Sequence, residues 1–209
     1  GTLENEFRSA AIGDVVTFGS YEQDNSTAEP EPIRWFVLAK ENDRLLLWSE
    51  SALDCKRYHT SVGDVTWADC SLRAWLNGEF SETAFTPQER ALIAKTKLEN
   101  PDNGASFMKG GKDTEDSVFI ISFNELLQYG VENPHLEGIW AMPTKYAIAN
   151  GLEAHKEYGT CMWWLRTPGI SQDSVSYCDM NGMPLYSAVA SKRALGVRPL
   201  VWVFAGSEG

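Results

Sequence analysis

The sequence predicts a single α+β domain, a mixed and mainly antiparallel twisted sheet with a few short helices and long loops. Three observations carry this expectation. Short β-prone runs open and close the chain, helix start and stop signals cluster in its middle, and no repeat or linker divides the 209 residues into two cores. The domain is expected over residues 12–205, between a polar N-terminal tail (1–11) and a short C-terminal tail (206–209).

Residues 14–23 alternate apolar and polar positions around Gly19, the mark of a half-buried strand ending in a turn. Residues 24–32 are polar and hold two prolines, so they form a loop. The runs 33–39 and 44–49 are joined by a short polar connection containing Asn42-Asp43, a hairpin signal, and a three-stranded meander follows. Asp69 or Ser71 then caps a helix whose apolar face is Leu72, Trp75 and Leu76, with Asn77-Gly78 as its stop. Thr86-Pro87-Gln88-Glu89 is a capping box with proline at the first helical position, and Leu92 and Ile93 supply that helix's apolar face. Residues 99–117, polar and glycine-rich, read as an exposed functional or disordered loop.

The apolar run 118–122 reads as a buried strand, after which Ser122 caps a helix ending at Gly130; residues 143–150 form a short helix closing on Asn150-Gly151. The last third is strand-like: 162–167, then 175–180 turning through Asn181-Gly182 into 185–189, and a closing strand over 197–204. Pro199 marks that strand as an edge, or marks its beginning.

A 43% hydrophobic, 22% charged composition with mean hydropathy -0.29 is that of a globular protein. No run of about 18 apolar residues occurs, so no membrane insertion is expected. Eighteen basic against 29 acidic residues give a net charge of -11, which repels nucleic acid and anionic membranes. Catalytic signatures are missing. Gly110-Gly111-Lys112-Asp113 looks like the end of a phosphate loop, but Ser106 stands at the first glycine and Asp113 at the magnesium-binding hydroxyl. His59, His135 and His155 are far apart in sequence and read as surface residues, so no cofactor is expected. Asp113 and Asp116 are weak calcium candidates, because hard oxygen ligands follow a glycine pair there; a solvated acidic loop accounts for them as well. Cys55, Cys70, Cys161 and Cys178 fit buried free thiols, two structural disulfides (55–70 and 161–178), or redox or metal chemistry.

Trp35, Trp48, Trp75 and Trp202 sit within apolar alternation and should be core. Trp163 and Trp164 are adjacent on one strand, so their indoles face opposite sides of the sheet, and one of them lies outside the core or under a loop. Trp163, Trp164, Arg166, Tyr177, Asp179 and Tyr186 are the ligand-binding candidates, a group suited to stacking on a sugar ring or anchoring a protein partner. Arg166 and Arg198 also read as structural ties to loop carbonyls or carboxylates.

Six ordered blocks, at 14–21, 52–55, 70–77, 118–122, 163–169 and 196–200, resemble a widespread gut-bacterial domain of unknown function, with Thr167 where that family usually has serine. More distantly, Met142-Pro143-Thr144 followed by the double-Trp strand, a hairpin and a closing Gly-Val-Arg strand is similar to C-type-lectin-like domains of the formylglycine-generating-enzyme type. That resemblance implies a strongly twisted sheet with two helices and long loops. Together these readings lead to a non-enzymatic binding module, secreted or at the bacterial surface, that recognises a glycan or protein ligand. Gly1 and the polar residues 2–6 look like a trimmed start from which a leader has been removed. The alternative is a cysteine- or metal-dependent enzyme using Cys161 and Cys178, and a third option is an inert structural domain.

Overall fold

The computed structural model describes residues 2–130 and 139–206; His135 lies outside them. The segment expected as an N-terminal tail is a helix, α1 (Thr2–Ser9). It is held because Phe7 is fully buried edge-on against Phe18, and because Lys40 Nζ donates to the carbonyls of Arg8 and Ala10 at the helix end. The meander is present as β1 (Val15–Tyr21), β2 (Glu31–Glu41) and β3 (Arg44–Ser49), all antiparallel. Asn42 takes a left-handed φ of 50° in the tight β2–β3 turn, a conformation that asparagine tolerates.

After β4 (Asp54–Arg57) and a short 3₁₀ turn at Trp67–Asp69, the chain enters α2 (Ser71–Trp75). Its cap is neither Asp69 nor Ser71 but Cys70, whose sulfur accepts from the Arg73 amide. Asn77-Gly78 does not stop the helical path. A π-helical turn (Leu76–Phe80) carries it into α3 (Ser81–Ala84), because Asn77 bonds outward to the 117–118 backbone while Leu76 and Phe80 are buried. The Thr86 capping box opens α4 (Pro87–Leu92) as expected, and Ile93 then leaves the helix to start β5 (Ile93–Ala94).

Residues 99–117 are an ordered loop, not a disordered one. β6 (Thr96–Leu98) and β7 (Thr114–Asp116) zip its ends together, and its body is pinned where Asn103 Nδ2 donates to the Pro168 carbonyl and Ser106 Oγ to that of Gly169. Residues 118–121 are buried as expected but make only a single bridge, between Phe119 and Leu200. Ser122 caps α5 (Phe123–Gly130), and Thr144 caps α6 (Lys145–Ala149).

The C-terminal third holds β8 (Trp163–Pro168), β9 (Ser174–Cys178), β10 (Pro184–Val189), β11 (Ala194–Val197) and β12 (Leu200–Phe204). The closing run 197–204 is therefore two strands in two sheets. The first sheet runs β1-β2-β3-β12-β5 and the second β10-β9-β8-β11-β4; apart from the parallel β8–β11 pair, their strands are antiparallel. Arg198-Pro199 is the crossing point. Pro199, lacking an N–H, sits just before β12, so an interior strand loses no ladder bond. The Arg198 guanidinium lies 3.6 Å from the ring centroid of Trp48 on β3 and 4.9 Å from that of Trp163 on β8, so a single cation bridges the two sheets.

The other face of β8 is closed as well. Trp164 packs on Tyr58 and donates to the Lys56 carbonyl, while Trp67, also against Tyr58, donates to Asp116. Asp116 is 1% exposed and accepts from Trp67 Nε1, Arg73 Nε (2.6 Å) and Thr114 Oγ1, tying the 3₁₀ turn, α2 and β7 together. Asp116→Ala should lower the unfolding free energy by about 3 kcal/mol, the scale for breaking a buried charge pair, with a milder loss for Asp116→Asn; urea denaturation measures both.

Candidate functional site

Of the two alternatives for the far side of the double-Trp strand, outside the core or under a loop, the second holds, and neither indole offers a binding surface. Trp163 and Trp164 do face opposite sides of β8, yet both are 0% exposed, one sealed by Trp48 and Arg198 and the other by Tyr58. Tyr177 is buried too. Asp179 is partly buried and closes the β9–β10 turn, accepting from the amides of Asn181 and Met183. Trp164 and Tyr177 are cross-strand partners in the interior, and Arg166 and Tyr186 line one cleft of about 250 Å³ together with Asn100, Asn103 and Phe123. Arg166 is fully employed there. It donates to Asn100 Oδ1, the Ile120 carbonyl and Glu125 Oε1, so it locks the 99–117 loop to α5.

The calcium candidates separate. Asp116 is buried among its three donors, and Asp113 is exposed, with Oδ1 accepting from the Asn100 amide. Among the described residues, the carboxylates that do come together are Glu22, Asp24 and Glu31, whose ligand atoms lie within 4.8 Å of one another where the β1–β2 connection closes. That group has the oxygen chemistry of a hard-cation ligand set.

A polar hollow of about 330 Å³ surrounds Asp54. Its carboxylate accepts from Tyr21 Oη, Asn150 Nδ2 and the Cys55 amide, and burial followed by the Asp54 hydrogen bond drives the Tyr21 hydroxyl pKa well up. Both carboxylate oxygens accept hydrogen bonds, so Asp54 ties β1, β4 and the end of α6 together.

The exposed aromatic surface lies elsewhere, at residues that the strand pattern did not mark. Residues 139–142 run beside the start of β8, bridged at Ala141–Cys161, and the Cys178 and Cys161 thiols donate to the Ile139 and Ala141 carbonyls. This leaves Trp140 (54% exposed) and Met142 facing outward. Tyr158 (62% exposed) rises opposite on the 155–160 turn, stacked on His155 at 4.8 Å. Between them runs a groove of about 390 Å³, with Thr160, Met180 and Asn181 as its remaining walls. Two left-handed glycines lie beside its lining residues. A Cβ on Gly159 (φ 77°) would lie 2.9 Å from Met142 Cε, and one on Gly182 (φ 79°) 3.2 Å from the Trp140 amide.

A family model for a domain of unknown function, DUF6273, matches residues 42–205. The chain belongs to that family. No curated protein and no solved structure matches it. In this DUF6273 domain, the family match covers β3 to β12 and every groove residue named above.

All four cysteines are free and buried. Burial pushes the Cys161 and Cys178 thiols up to about 12, as it does Cys70, and Cys55 up to about 11, opposite to the lowered pKa of an activated thiolate. A thiol reagent at pH 8 should therefore leave the native protein unlabelled and label four cysteines once it is denatured; rapid native labelling would contradict the sealed geometry. The pH dependence follows in sign. The unfolded thiols ionise first, near pH 9, so the thiols' contribution is intact below that pH and is lost as pH rises toward about 12. The urea midpoint should fall with rising pH above pH 9, and less steeply in a Cys161→Ala, Cys178→Ala variant.

Proposed function

We propose that this domain is a non-enzymatic binding module of C-type-lectin-like fold, borne by a secreted or surface-displayed bacterial protein, and that it recognises a glycan. The observation that carries this reading is the groove between Trp140 and Tyr158. Two aromatic side chains, each more than half exposed, flank a channel that exposed Asn181 and the buried Thr160, whose hydroxyl donates to the Met180 carbonyl, also line. An aromatic face stacks on the apolar face of a sugar ring, and neighbouring amides and hydroxyls meet its hydroxyl groups. Large exposed aromatics otherwise sit at a cost in a chain that buries Trp35, Trp48, Trp67, Trp163 and Trp164. The twisted, mainly antiparallel sheets with long pinned loops are the features of the lectin-like resemblance that support the fold part of the reading. The net charge of -11 supports a partner other than nucleic acid.

Glycan-array screening followed by titration calorimetry tests the reading. Trp140→Ala and Tyr158→Ala should each weaken the bound glycan by about 2 kcal/mol, roughly 30-fold, as loss of an aromatic anchor does. Tyr186→Ala, in the other cleft, should bind as wild type. Unchanged affinity in both groove variants would move the site elsewhere.

A further inference from the structure

Trp140 and Met142 line the groove and also a second hollow of about 280 Å³, whose other lining residues are Trp48, Arg198, Phe36, Glu50 and Ser51. Arg198 is 2% exposed. Its Nε donates to the Ser49 carbonyl at 3.2 Å and its Nη2 to the Glu50 carbonyl at 3.4 Å. Its Nη1 has no hydrogen-bond partner, and neither do Nε1 of Trp48 and Nε1 of Trp163, the two indoles against which the guanidinium lies. Three buried N–H donors around one contact thus lack an acceptor, and two of them, on Arg198 and Trp48, belong to residues that line the hollow. Native interiors rarely tolerate this, because each donor has given up its hydration for nothing in return. The nearest other polar groups do not fill the need. Cys161 and Cys178 are weak acceptors whose thiols are turned to the Ala141 and Ile139 carbonyls, and the Glu50 carboxylate is paired with Arg34 at 3.0 Å.

We propose that this hollow is a carboxylate subsite completing the glycan groove, so that the ligand class is an acidic sugar of the uronic-acid type; this deepens the glycan reading and rests on it. A ring stacked on Trp140 would turn its carboxylate inward toward Arg198 and Trp48. Met142, half exposed and unbranched, is the lip that yields to admit it. A carboxylate suits the donors better than a phosphate or sulfate: its two oxygens match the Arg198 guanidinium N–H and the Trp48 indole N–H, whereas the larger anions present three or more oxygens. The attraction acts at short range in a poorly hydrated pocket, while the chain's overall negative charge is screened beyond about 10 Å.

The test uses the wild-type protein, because Arg198 variants also break the bridge between the sheets. An oligogalacturonate, its methyl ester and the monomer glucuronate are titrated while the indole N–H resonances are followed by NMR. The free acid should bind about 10-fold or more tightly than the ester, the scale for losing a charge-assisted hydrogen bond, and should shift the Trp48 and Trp163 indole signals where the ester does not. Equal affinity for acid and ester, with Trp140 engaged, would overturn the subsite and leave the glycan reading standing. Glucuronate shifting both indoles while no oligosaccharide engages Trp140 would support the subsite and overturn the glycan groove. If no carboxylate moves either indole, the subsite is refuted.

Discussion

The contact among Trp48, Arg198 and Trp163 is the constraint on which the rest of the structure depends. β11 belongs to one sheet and β12 to the other, so the two sheets are joined covalently through Arg198-Pro199 and physically through the guanidinium between two indoles. Burial pulls the pKa of Arg198 down to about 9, with Glu50 acting in the opposite sense, so the group stays charged at neutral pH. A cationic group in that position needs carbonyls and aromatic faces around it, and the ends of β3 and β8 provide them. The same residue that joins the sheets also lines the second hollow beside Trp140.

Much of the local structure was legible in the sequence because it is encoded by neighbours in the chain. The Thr86 capping box, the Ser122 cap, the Asn42 turn and the Asn181-Gly182 hairpin each need only a few adjacent residues, and each is present. What failed depended on distant partners. Asn77-Gly78 looks like a helix stop until residues 117 and 118 claim the Asn77 side chain. The 197–204 run looks like one strand, because nothing in its apolar pattern reveals that two sheets divide it at Arg198.

The binding candidates show the same limit more sharply. Residues on β8 to β10 stood out because aromatic side chains cluster there in sequence, but such clustering in a strand marks a core contact as readily as a surface. Trp140 and Tyr158 are isolated aromatics in irregular segments, and only the folding of 139–142 against β8 sets them across a groove. A usable signal was nonetheless present. Each stands in a stretch without apolar alternation, where a large aromatic has no strand or helix face to join.

The two glycines beside the groove carry a consequence for substitution. Gly159 and Gly182 lie at turn tips, outside both sheets, yet any side chain there would press on Met142 or on the Trp140 backbone. Both lie in the left-handed region, so a side chain at either tip strains the turn backbone whatever space it finds. Substitution there would reshape the rim around Trp140 and Met142 while leaving the Arg198 junction between the two sheets in place.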